Sequence, residues 1–179
     1  PDVELSLSVQ PRDELFTELS HHETDLVIAG RPPRGSGLLP LADRPNRLVV
    51  VGAPTYDVRP ADATWLLRGA GSGTRRTCLA LLEQRGWDPP TLVLGTHGAV
   101  VAAAKEGLGL TLVHSDAAAA ALRDGTLRTI PVAGTPVDRP WLVVANPTPS
   151  PAARLFVDHV CAEERPEDVR FHPRNRPRG

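Results

Sequence analysis

The residues best placed for chemistry lie in one run, Trp65-Leu66-Leu67-Arg68-Gly69-Ala70-Gly71-Ser72-Gly73-Thr74-Arg75-Arg76. Three apolar residues lead into a glycine-rich turn, and small polar and cationic residues then open an amphipathic helix. The spacing predicts that this helix runs to Arg85 and stops at Gly86. The first N–H groups of a helix have no internal partners, and the macrodipole places partial positive charge there. Glycines allow a ligand close to the backbone, Ser72 is suited to cap, and the Ser72 and Thr74 hydroxyls add donors. The chemistry this corner suits is capture of a small anion or a polar oxygen. It is not a Walker A loop, because no Gly-Lys-Ser/Thr follows at the required offset. Nor is it a full dinucleotide fingerprint, since Thr74 stands where the third glycine belongs. An ordinary strand-to-helix turn with a serine cap fits the same residues.

Gly95-Thr96-His97-Gly98 forms a second small polar corner after an apolar run. His97 reads either as a ligand for an effector carboxylate or as a plain loop histidine. His21-His22-Glu23 resembles a metal site only by composition, because adjacent residues on a helix point apart. His114, Ser115 and Asp116 are consecutive and so cannot form a catalytic triad; Ser115 reads as a helix cap. Arg75 and Arg76 either neutralise an acid or face water. Trp65, Trp87 and Trp141 read as packing. Cys78 and Cys161 have no metal-binding or redox spacing and fall on apolar helical stripes, where cysteine behaves as a small hydrophobe. We expect no metal, no cofactor and no catalysis.

These corners must be held by strands and helices, and the two alternate along the chain. Val3, Leu5, Leu7 and Val9 alternate with polar residues, which predicts a strand over 3–9. Pro11 opens a helix whose stripe is Leu15, Phe16 and Leu19. Asp25-Leu26-Val27-Ile28-Ala29-Gly30 is continuously apolar, as a parallel strand covered on both faces would be. Residues 3–29 thus read as a βαβ unit, and the loop 31–37 follows the carboxyl end of its second strand. Ligands of open α/β sheets bind at such ends. Further strands are expected at 48–52, 65–67, 91–94, 108–113, 127–131 and 139–145. Helices are expected at 74–85, 99–106, 116–123 and from Ser150-Pro151 to about Cys161. Residues 53–64 read as a linker and 163–179 as a disordered tail. The fold class is α/β, with mixed, mainly parallel sheets and helices on both faces. Two lobes are expected, residues 1–62 with 146–162 and residues 63–145.

A chain of 179 residues with 41% hydrophobic and 23% charged residues is ordinary for a soluble globular protein. A net charge of −1 gives no reason to expect a nucleic-acid surface on this part of the molecule. No apolar run approaches the roughly 18 residues of a membrane span. A reducing cytoplasm fits the two unpaired cysteines. The chain opens at Pro1 and has no methionine, so further sequence is expected upstream.

Taken in order, a strand, an Arg-Asp-Glu-Leu helix, "DLVIAGRPP", a buried strand, "WLLRGAGSGTRR", "GTHGAVVAAAKEGLGLTLVHSDAAAAAL", "GTLRTIPV", "RPWLVVAN" and "SPAARLFVDHV" resemble the effector-binding domain of LysR-type transcriptional regulators. The likeness covers about residues 1–162. It implies a two-lobed fold of the type 2 periplasmic-binding-protein kind, with a small, anionic metabolite bound in the cleft between lobes. It implies Gly30, Arg31, Ser72, Gly73, Thr74, Thr96 and His97 as cleft residues, with Arg12 as a weaker candidate. It also implies a homodimer or tetramer, and DNA contact through an upstream winged helix-turn-helix. This chain lacks that helix-turn-helix, and the first strand and helix of the first lobe with it. Its crossing between Val51 and Trp65 is shorter than the family's. Two other readings remain at this point: a free-standing solute-binding protein of similar shape, and an enzyme using the glycine turn for a phosphorylated substrate.

Overall fold

The computed structural model describes residues 4–174. The chain divides into two compact units, Pro1–Pro45 with Pro140–Gly179, and Asn46–Arg139. The boundaries therefore fall at 45/46 and 139/140, where the sequence reading placed them at 62/63 and 145/146.

The first unit contains α1 (Arg12–Ser20), β1 (Leu26–Ala29) and β2 (Leu39–Arg44). The second unit follows in the chain with β3 (Arg47–Gly52), β4 (Trp65–Arg68), α2 (Gly73–Arg85), β5 (Thr91–Gly95), α3 (His97–Lys105), β6 (Thr111–His114), α4 (Ser115–Arg123), β7 (Arg128–Thr129) and β8 (Val137–Asp138). The chain then returns to the first unit for β9 (Trp141–Ala145), α5 (Pro151–Cys161) and β10 (His172–Pro173).

In the first unit the sheet order is β1-β9-β2-β10. β9 runs antiparallel to both β1 and β2, so those two are parallel to each other with the late strand between them. Alternation along β9 sends its side chains to two cores. Leu142 and Val144 join Phe16 and Leu19 of α1 with Val27 and Ala29. On the opposite face Val143 packs with Ala42, Val160 of α5 and Phe171. Ser150 caps α5, its Oγ accepting from Ala153 N at 3.1 Å.

Three expectations fail in this unit. β1 is not a parallel strand covered on both faces: it pairs antiparallel with β9 at the end of the sheet order, and Ile28 is 42% exposed. Residues 4–10 form no strand; Leu5, Leu7 and Val9 are 72, 86 and 92% exposed. Alternation supplies a face, but a strand is completed only by a neighbour's hydrogen bonds, and among the described residues none is offered here. The βαβ reading of 3–29 falls with it. The tail is not disordered as far as Arg174. Phe171 is buried, β10 pairs with β2, and the Arg44 guanidinium lies 5.6 Å from the Phe171 ring centre. The rest of the expected tail, 175–179, lies outside the described residues, as does Val3.

In the second unit β4 and β5 pair in parallel, and Leu110, just before β6, bridges Trp65 in the same sense. This is what β4-α2-β5-α3-β6 alternation requires. β3 lies antiparallel to β6, β7 and β8. Among the described residues the ladders are mostly antiparallel, against the expected mainly parallel pairing. The reason is that β3 and β9 enter their sheets from distant parts of the chain, in the opposite sense to their neighbours. Helices cover both faces: α2 brings Cys78, Leu81 and Leu82 against Leu48, Val50, Trp65 and Leu67. The other face packs Val100 and Ala104 of α3 and Ala118 and Ala121 of α4 against Val51, Leu66 and Val113.

Residues 53–64 belong to this unit and do not act as an open linker. Ala63 is fully buried, Tyr56 Oη accepts from Thr64 N, and Trp65 Nε1 donates to Pro60 O at 2.9 Å. No helix among the described residues is long and apolar enough to cross a membrane.

Candidate functional site

Parallel strands that share a register also share an end. Arg68, the last residue of β4, stands opposite Gly95, the last of β5, and Gly69 N donates to Gly95 O at 2.9 Å. A Cβ on Gly69 would come within 3.4 Å of Gly95 Cα and O, so a side chain there would push the two turns apart. Each turn then starts a helix. Gly71 takes the left-handed φ of 79° that glycine adopts freely. Ser72 caps α2, its Oγ accepting from Arg75 N at 3.3 Å, and Gly86 closes that helix in the left-handed conformation. Thr96 caps α3, its Oγ1 accepting from Ala99 N at 3.2 Å. β6 adjoins β4, where Thr111 Oγ1 donates to Leu66 O at 2.8 Å, and α4 starts directly after β6. Three helix N-termini therefore gather at the carboxyl ends of β4, β5 and β6. The structure thus brings Ser72, Gly73 and Thr74 together with Thr96 and His97. Gly73 and Thr74 are buried in the first turn of α2.

Ser115 is not the cap expected of it. His114 holds the N-cap position of α4 without a side-chain cap bond, and Ser115 Oγ donates instead to Asn46 Oδ1 at 3.2 Å. Asn46 is 6% exposed, and its Nδ2 lies against His114 Nδ1. Arg139 N donates to Asn46 O at 2.8 Å, and Arg139 Nη1 donates to Thr77 Oγ1 of α2 at 2.8 Å. One polar network thus ties the starts of β3, α2 and α4 together.

The electrostatics of this end are cationic. Burial pulls the Arg68 guanidinium below its ordinary value. Burial, and then the charge of Arg68, lowers His97. His114 is pushed down to about 4, first by burial and then by Arg139, His97 and Arg68. Both shifts favour the neutral ring. His97 Nε2 is buried and has no hydrogen-bond partner, a cost unless a further group meets it.

Gly30, Arg31 and Arg12 lie in the first unit. Arg12 Nη2 donates to Arg31 O at 2.6 Å and Nη1 to Asp13 Oδ1 at 2.8 Å, while its guanidinium covers the Phe16 ring at 4.9 Å. Arg31 is exposed and borders a cavity of about 300 Å³ with Pro32, Pro40, Pro140, Leu142 and Arg174. Among the described residues, no three His, Cys, Asp or Glu side chains are grouped to hold a metal ion.

The sequence reading missed Arg68, Arg139 and Asn46, and weighed His114 only for a triad that it set aside. Arg68 carried a signal, since it ends the apolar strand that feeds the glycine turn. Arg139 carried none: its partner Thr77 is 62 residues away.

Residues 1–164 match the LysR substrate binding domain family. A RuBisCO operon transcriptional regulator of Acidithiobacillus ferrooxidans is 31% identical over 174 residues, covering 90% of this chain and 56% of that protein. The HTH-type transcriptional regulator CbbR of Xanthobacter flavus is 32% identical over 156 residues, covering 80% of this chain and 47% of CbbR. The chain spans about half the length of these curated relatives. Among solved structures, the Synechocystis PCC6803 CcmR regulatory domain in complex with 2-PG superposes with a TM-score of 0.79 at 23% identity, covering 87% of this chain and 81% of that one. The effector binding domain of QuiR in complex with shikimate gives a TM-score of 0.70 at 17% identity, covering 83% and 76%. These solved domains share the α/β fold of this chain, and the curated relatives similar to it in sequence are transcriptional regulators. The chain belongs to the LysR substrate-binding domain family.

Proposed function

We propose that this chain is the effector-sensing part of a LysR-type transcriptional regulator of the CbbR kind, and that it binds a small anionic metabolite without turning it over. The observation that carries this reading is the gathering of three helix N-termini with Arg68 and Arg139 at one end of the second unit. Backbone N–H groups, capping hydroxyls and guanidinium groups are all donors, and charge-assisted bonds from them favour carboxylate or phosphate. The donors we assign to the effector are Ser72, Gly73, Thr74, Thr96 and His97; Gly30, Arg31 and Arg12 enter on family likeness alone. In the full protein, DNA contact belongs to a winged helix-turn-helix, and the regulator acts as a dimer or tetramer in the cytoplasm.

No nucleophile sits beside an activating base at this end, so a sensor fits better than an enzyme. Titration calorimetry with 2-PG, inorganic phosphate and shikimate tests the proposal, with ³¹P or ¹H spectra of each mixture after overnight incubation. Saturable binding of an acid recovered unchanged is the expected result. Failure of every acid to bind, or steady conversion of one, overturns it.

A further inference from the structure

We propose that the first unit carries a ligand site of its own, a cavity suited to a small ring acid with a flat apolar body and one carboxylate. It is built only from residues of the first unit and does not depend on the anion site assigned to the second.

The cavity of about 300 Å³ is lined by Arg31, Pro32, Pro40, Pro140, Leu142 and Arg174, and all six belong to the first unit. Its size is at the small end of the range for ligand pockets. Arg31 and Pro32 follow β1, Pro40 is the second residue of β2, Pro140 and Leu142 stand either side of the first residue of β9, and Arg174 follows β10. Four segments distant in sequence thus meet at one place.

The walls select the body of the ligand. Pro32, Pro40 and Pro140 have no backbone N–H to donate, and Leu142, 3% exposed, adds a fourth apolar surface. A bare phosphate or sulfate finds few donors here, in contrast to the turns after β4 and β5. The proline rings are stiff. A rigid ring that meets them loses little freedom, whereas a flexible alkyl chain would have its rotamers frozen.

The rim selects the charge. Both of its arginines are held at the backbone. Arg31 O accepts from Arg12 Nη2 at 2.6 Å, and Pro32 restricts Arg31 to extended conformations. Arg174 N donates to Leu41 O at 2.8 Å, and Arg174 Nη1 lies 3.4 Å from Asp43 Oδ2. Asp13 compensates Arg12 and Asp43 compensates Arg174, while Arg31 has no ion pair among the described residues. One positive charge is left over. A single carboxylate matches it, and a second negative charge would face Asp43 without a partner. Guanidinium groups bind carboxylates through two parallel hydrogen bonds and also stack on flat rings. Arg31, carried to the effector by family likeness alone, has here a place given by geometry. The ordered segment after α5 gains a purpose as well, since the pairing of β10 with β2 delivers Arg174 to the rim.

Benzoate is the probe, being flat, apolar and singly charged at neutral pH. The purified protein is titrated with it by calorimetry and by ¹H–¹³C methyl spectra. Saturable binding with ring-current shifts of the Leu142 methyl groups is the expected result. Benzamide keeps the ring without the charge and acetate keeps the charge without the ring; each should bind at least about tenfold more weakly. Arg31→Gln and Arg174→Gln lie at exposed positions that tolerate substitution, and each should weaken benzoate about tenfold. Arg34→Gln, in the same loop as Arg31 but off the cavity, should not. The wild-type spectra decide the location of binding without any variant. No saturable binding of benzoate, equal affinity for benzamide or acetate, shifts confined to the second unit, or full affinity in both arginine variants overturns this inference and leaves the sensor reading intact. Benzoate binding at Leu142 in a protein whose second unit takes up no anion overturns the sensor reading and upholds this one.

Discussion

Ser72 has two roles that a pair of substitutions separates. Its Oγ accepts from Arg75 N at 3.3 Å, which satisfies one free N–H group of α2 and leaves the single hydroxyl proton to donate elsewhere. Ser72→Ala removes both functions. Loss of the cap costs about 1 kcal/mol, which for a chain of this size lowers the Tm by roughly 2–4 °C. Ser72→Gly removes the hydroxyl as well, but glycine is itself a tolerated cap and the stability cost falls to a few tenths of a kcal/mol. If the hydroxyl proton meets a bound anion, the two variants lose the same hydrogen bond to a charged partner, worth about 1.5–3 kcal/mol, or roughly ten- to a hundredfold in Kd. The assays are differential scanning calorimetry for the fold and sulfate or 2-PG titration for the site. The expected pattern is unequal melting temperatures with equal, large losses of affinity. Affinity that follows stability, falling in the alanine variant and retained in the glycine variant, would refute the role of the hydroxyl and leave Ser72 a cap.

The folded-state depression of His114, from 6.5 to about 4, makes the unfolded chain the better proton binder. Its contribution to stability is therefore complete above pH 6.5 and is lost as the pH falls toward 4, to the extent of about 3 kcal/mol; urea unfolding across that range should show it, and His114→Gln should flatten it. A Cβ on Gly109 would lie 2.2 Å from Thr64 O, where the backbone of β6's approach passes under β4. Gly109→Ala should thus destabilise by about 3 kcal/mol or more, seen as a lowered urea midpoint, with no such effect from Gly98→Ala, which meets open space. Phe171→Ala should cost about 3 kcal/mol because the ring fills the core beside Ala42, Val143 and Val160; a change within a few tenths by the same melts would mean the segment after α5 does not stabilise the first unit.

Much of the second unit was legible in the sequence because its signals are local. The cap at Ser72, the stop at Gly86, the corner at Thr96 and the stripe of α2 each depend on residues within a turn or two of one another, and the structure reproduces them. The family likeness was legible for a similar reason, since it rests on the order of such local units. The alternating run at 3–9 failed because alternation is a property of one segment and pairing is a property of two. The antiparallel sense of β3 and β9, the ordered tail through Phe171 and the division at Pro45 were likewise set by partners far along the chain. Only the tertiary structure decided the site's electrostatics. Arg68, Arg139, His97 and His114 come from four separate segments, and their mutual charges act through space in a half-buried corner where water screens them poorly. Sequence spacing records which groups a chain carries, but the potential at His97 depends on distances that exist only after β4, β5 and β6 have aligned their carboxyl ends.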